Sequence, residues 1–113
     1  MEFDQAQTFE IRHEKTGADA VTMWLSGEFD MAGCEDFETA VRALNGDRLR
    51  ELTIDLGELT FIDSSGIRAL LESKRLAEEE GLMLLVRVPE DGQVRQVLEL
   101  TGIVRVFDGT APA

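Results

Sequence analysis

The chain has 113 residues, of which 11 are basic and 23 acidic, for a formal net charge of −12. That length fits one domain, and 43% apolar with 30% charged residues is an ordinary globular balance rather than a disordered one. The charge argues against direct binding to nucleic acid or to anionic lipid, no apolar run reaches 18 residues, and the lone Cys34 allows no internal disulfide.

The first strand expected is "TFEIRHE", where Phe9, Ile11 and His13 alternate with charged residues at period two. A turn at "KTGAD" leads to a second strand, "VTMWLSGE", with Val21, Met23 and Leu25 on one face and Thr22 and Trp24 on the other. The two form an antiparallel hairpin. "GEFDMAG" reads as a loop. A helix then starts at Glu35 or Asp36 and carries Phe37, Ala40, Val41 and Leu44 at spacings of three and four, ending at Asn45-Gly46. "LTIDL" is a short central strand. The next helix runs from Ser64 or Ser65 to about Glu80, with an inward stripe of Ile67, Leu70, Leu71 and Ala77, and Gly81 closes it. "LMLLVRV" is a strand. "PEDGQ" turns into a helix with Val94, Val97, Leu98 and Leu100, Thr101-Gly102 stops it, and "IVRVF" reads as a last strand before a frayed tail at 109–113. The order β-β-α-β-α-β-α-β implies one α/β domain over residues 1–108. Its sheet is mixed and mainly parallel, with an antiparallel N-terminal edge strand and crossover helices.

The chemistry concentrates in "FIDSSGIRALL", residues 61–71, where an apolar strand becomes a helix. A nucleophilic serine needs a base. The only histidine is His13, expected in a structural role on the hairpin, and Lys74 lies too far along the helix from Ser64. The Gly-x-Ser-x-Gly elbow fails at both serines, since Ile62 and Asp63 stand where its first glycine belongs. There is no phosphate-binding glycine loop, and one Cys with one His makes no zinc site. No enzyme activity, metal or cofactor is expected.

Two readings of the serines remain. Asp63 or Ser64 caps the helix, worth about 1 kcal/mol. Alternatively, a serine accepts a phosphate at the positive, N–H-rich end of the helix, and the added charge of about −1.5 to −2 repels a partner that bound the uncharged surface. Gly66 costs about 1 kcal/mol of helix propensity relative to Ala, and its missing side chain lets another molecule approach the backbone.

Three segments, "LSGEFD" at 25–30, "IDLGELTFIDSSGIRALL" at 54–71 and "LELTGIVRVF" at 98–107, resemble the STAS domains, and within them the stand-alone bacterial anti-sigma factor antagonists. The resemblance implies that Ser64 is phosphorylated by an ATP-dependent anti-sigma factor serine kinase. It implies that the unphosphorylated chain binds the anti-sigma factor and frees the sigma factor, and that a serine phosphatase restores the binding form. Asp63 matches the aspartate that positions the acceptor, with Ser65 and Gly66 beside it. Gly27, Glu28 and Asp30 match a loop of the partner surface. Met31-Ala32-Gly33-Cys34 departs from the family pattern and puts the shape of that loop in doubt. Arg68, one turn from Ser64, is expected to face solvent. The acidic start "MEFDQAQTFE" lacks a signal-peptide core, and with the lone cysteine it implies a cytoplasmic protein. The free chain is expected to be monomeric. The alternative is a non-switching STAS module, such as a signalling scaffold or the small subunit of a lipid transporter.

Overall fold

The structure, a computed structural model, describes residues 9–45 and 49–108. A hairpin comes first: β1 (Glu10–Gly17) pairs antiparallel with β2 (Ala20–Phe29). Then follow α1 (Met31–Asn45), β3 (Glu51–Ile62), α2 (Ser64–Glu79), β4 (Met83–Arg87), α3 (Gly92–Leu100) and α4 (Val104–Asp108). The sheet order is β1-β2-β3-β4, and the β2–β3 and β3–β4 pairs are parallel. The expected architecture is therefore present, and among the described residues no helix is long and apolar enough to cross a membrane.

Alternation sets the core. Val21, Met23 and Leu25 of β2, Leu52, Ile54 and Leu56 of β3, and Leu84 and Val86 of β4 are all buried. The face they form carries α1 and α2, which contribute Phe37, Leu44, Ile67, Leu70 and Ala77. Trp24 points the other way and is half-buried under the Arg12 guanidinium, 4.8 Å above its ring.

Four expectations need correction. The helix after β2 begins at Met31, not at Glu35 or Asp36, because Asp30 accepts a 3.0 Å hydrogen bond from the Ala32 N–H and so starts the helix. Phe29, expected in the loop, still belongs to β2. "IVRVF" is not a fifth strand. It is the turn into α4, whose Phe107 is buried while Arg105 and Val106 face outward. A run that short satisfies both periods, and the half-buried Ile103 and Val104 lie three to four residues before Phe107, as a helix requires. Finally, His13 is exposed, although it shares its phase with the half-buried Ile11. It sits on an edge strand, and the helix layer is centred on β2 to β4. The expected helix stop at Gly46 and the tail at 109–113 lie outside the described residues.

Candidate functional site

Parallel strands β2 and β3 end side by side, Phe29 opposite Ile62, and a helix springs from each. The carboxyl ends of such strands are where α/β folds carry their sites. Here each helix opens behind an aspartate: Asp30 before α1 and Asp63 before α2.

Asp63 settles which residue caps α2. Its Oδ1 accepts from the Ser65 N–H at 2.9 Å and from the Gly66 N–H at 3.2 Å, and its own carbonyl accepts from the Ile67 N–H at 3.0 Å. Its backbone N–H donates to the Phe29 carbonyl at 3.3 Å, which ties the corner to β2. Ser64 is thereby relieved of capping. It is the first residue of α2 and exposed, and among the described residues nothing hydrogen-bonds to its hydroxyl. Because Asp63 occupies two of the first-turn donors, the helix end is not an open phosphate cradle, as the sequence had suggested.

Ser65 is half-buried and lines a groove of about 320 Å³ between α1 and α2, together with Met31, Cys34, Glu38 and Arg68. Met31 is 75% exposed at its rim. Arg68 is exposed, and among the described residues it makes no ion pair. The Cys34 thiol donates to the carbonyls of Asp30 and Ser65, each at 3.4 Å, and so bridges the two helix starts. Burial pushes its pKa up, and the charges of Glu38, Asp63 and Asp30 push it further.

Gly66 has a different role from the one expected. It is buried, and a Cβ there would meet the Phe29 carbonyl oxygen at 2.7 Å and Ile62 Cγ1 at 2.9 Å. The close approach is made by the protein's own strand. Phe29 in turn stacks on Phe9 at 4.7 Å and meets Phe37 edge-on at 5.2 Å. Gly33 leaves room for the Phe9 ring, which an added Cβ would meet at 2.6 Å.

The remaining site residues lie on the neighbouring strand end. Gly27 has φ +88°, sits between two register shifts of β2, and its carbonyl accepts from the Thr60 hydroxyl at 3.1 Å. Glu28, half-buried, stands opposite Phe61. The strand ends thus place Asp30 and Ser64 on the same end of the sheet. His13 pairs with Met23, six residues before Phe29 on β2, or about 20 Å down the strand. It supplies no base to either serine. Among the described residues no cluster of three or more His, Cys, Asp or Glu is placed to hold a metal. One contact escaped the sequence: the Gln93 side chain of α3 bonds both polar groups of Ile62. A polar residue beside a Gly in a turn carries no local sign of that role.

The family model described as "Mlab, STAS domain" matches residues 13–107. BtrV of Bordetella bronchiseptica, assigned as an anti-sigma factor antagonist, is 32% identical over 84 residues, 74% of this chain and 71% of that protein. Among solved structures, an anti-sigma factor antagonist from Mycobacterium paratuberculosis is 26% identical, covering 88% of this chain and 83% of that one with a TM-score of 0.72. The anti-sigma factor antagonist SpoIIAA in its unphosphorylated form shares the fold at 22% identity and a TM-score of 0.68, over 85% of this chain and 82% of that one.

Proposed function

The chain belongs to the STAS domain family, and from that premise we propose that it is an anti-sigma factor antagonist switched by phosphorylation on Ser64. Unphosphorylated, it binds an anti-sigma factor serine kinase and so frees a sigma factor. The kinase phosphorylates Ser64, and a serine phosphatase restores the binding form. The chain contributes a substrate serine and a surface rather than a catalytic site.

One observation carries this reading: Asp63 caps α2, and among the described residues nothing bonds the exposed Ser64 hydroxyl. A phosphate would add about −1.5 to −2 charges beside Asp63, at the end of the sheet that also carries Asp30. With two of the nearest helix N–H groups taken, the new charge faces outward into the contact, where it disfavours an apolar or acidic patch of the partner opposite Ser64, whatever basic groups meet Asp30 beside it. The partner surface we assign comprises the Ser64 helix start, Met31, and the Gly27, Glu28 and Asp30 strand end.

The test is incubation with an anti-sigma factor kinase, ATP and magnesium, followed by peptide mass spectrometry. One phosphate on Ser64 is expected, with none in Ser64→Ala and continued incorporation in Ser65→Ala. Ser64→Ala should remain a constitutive binder, while Ser64→Asp should bind more weakly. Phosphate mapped to Ser65, or incorporation surviving in Ser64→Ala, overturns the assignment. Binding without any incorporation would place the chain among the non-switching STAS modules.

A further inference from the structure

β4 pairs with β3 only as far as Asp55, opposite Arg87, whereas β3 continues to Ile62. Among the described residues the last part of β3 therefore has no strand on its β4 side, and its backbone groups there need other partners. At Ile62 one side chain takes the place of that strand. The Ile62 N–H donates to Gln93 Oε1 at 3.0 Å, and Gln93 Nε2 donates to the Ile62 carbonyl at 3.1 Å. A primary amide offers one acceptor and a donor in the same plane, as a peptide group does. On the opposite edge the chain is held one residue later, by Asp63 N–H to the Phe29 carbonyl. The segment from Ile62 to Asp63 is thus gripped from both sides just before Ser64.

We infer that Gln93 is a positioning residue for the phosphate acceptor. By fixing the last residue of β3 it sets where the Asp63 carboxylate meets the Ser65 and Gly66 N–H groups, and so how the Ser64 hydroxyl is presented. The inference rests on Ser64 being the acceptor. Its anchor, α3, also packs on β3 and buries Val94 and Leu98, so the amide is carried on a fixed element.

Two variants test it. Gln93→Met keeps the length of the side chain and removes both bonds. In the isolated protein, hydrogen exchange followed by NMR should show about a tenfold loss of protection at the Ile62 N–H, extending to Ser65 and Gly66. The amides of Ile54 and Leu70 should stay at the wild-type level. Gln93→Glu retains the acceptor but, when ionised, lacks the donor; when protonated it regains both. Its corner protection should therefore match wild type in mildly acidic buffer and fall at pH 7, which a merely space-filling residue would not produce. With kinase and ATP, Gln93→Met should lower kcat for Ser64 phosphorylation about tenfold and leave KM for the protein substrate unchanged. Wild-type protection at Ser65 and Gly66 in both variants, or a uniform loss across the sheet, overturns the inference. If wild-type protein is not phosphorylated on Ser64, the functional reading falls instead, and the exchange data still decide the role of Gln93 at the corner.

Discussion

Replacing Gly66 by Ala sets two effects of opposite sign against each other. Helix propensity favours Ala over Gly by about 1 kcal/mol, part of it through a less flexible unfolded chain. Packing opposes it. A Cβ at Gly66 would lie 2.7 Å from the Phe29 carbonyl oxygen, 2.9 Å from Ile62 Cγ1 and 3.0 Å from Phe29 Cγ, against an ordinary carbon–carbon contact of about 3.5–4.0 Å. None of these neighbours is free to withdraw: Phe29 and Ile62 are 0% and 1% exposed, and the Phe29 carbonyl holds the Asp63 N–H. Overpacking of this kind costs about 1–3 kcal/mol, and loosening that hydrogen bond adds about 1 kcal/mol. Subtracting the propensity gain leaves a net destabilisation of about 2 kcal/mol, or roughly a 10 °C lower Tm for a domain of this size. Urea unfolding should show a lower midpoint with an unchanged m-value. Gly81, with φ +77° and nothing within 4 Å of an added Cβ, is the control in which only backbone conformation is charged. Gly66→Ala at or above wild-type stability would refute the packing argument, and with it the claim that strand β2 rather than a partner dictates this glycine.

Asp63→Ala should cost about 1–2 kcal/mol by freeing the Ser65 and Gly66 N–H groups, while Asp63→Asn, which keeps the acceptor, should stay within about 0.5 kcal/mol; calorimetry that shows no difference between the two would sink the capping role. Asp30→Asn keeps the bond to the Ala32 N–H but removes the charge. It should therefore slow association with a basic anti-sigma factor surface at low salt and lose that effect at high salt; stopped-flow rates equal to wild type would take Asp30 out of the interface. The Cys34 thiol should react slowly with iodoacetamide through neutral pH, its midpoint lying above the usual thiol range, because burial and then Glu38, Asp63 and Asp30 disfavour the thiolate. The folded chain keeps a proton there that the unfolded chain releases, so this contribution to stability is complete below the unfolded pKa and is lost as pH rises through the folded one. A midpoint at or below that of a free thiol contradicts the geometry.

The start of α2 was legible because its signals are local: an apolar strand, an Asp three residues ahead of Gly66, then apolar residues at helical spacing. The hairpin and the parallel sheet followed from period and order alone. What stayed hidden depends on distant residues. Two glycines in "GEFDMAG" argue for a loop, yet Gly33 lies in a helix, and it is the Phe9 ring, 24 positions earlier, that leaves no room for a side chain there. Gly66 suggested an open backbone, whereas β2 closes it. The role of Gln93 comes from the unequal lengths of β3 and β4, 12 residues against 5, which no window around Gln93 contains.

The corner before Ser64 accordingly rests on three tethers of different legibility. The Asp63 carboxylate binds the first turn of its own helix, a bond encoded within four consecutive residues. The Asp63 N–H to Phe29 and the Gln93 amide to Ile62 are tertiary, one from each side of β3. Together they meet the local backbone requirements that a serine at a strand-to-helix corner would otherwise serve. Among the described residues nothing bonds the Ser64 hydroxyl, so a phosphate placed there would break no bond that they make. Under the proposed function, that separation is what would let a modification change the surface while the fold remained as it was.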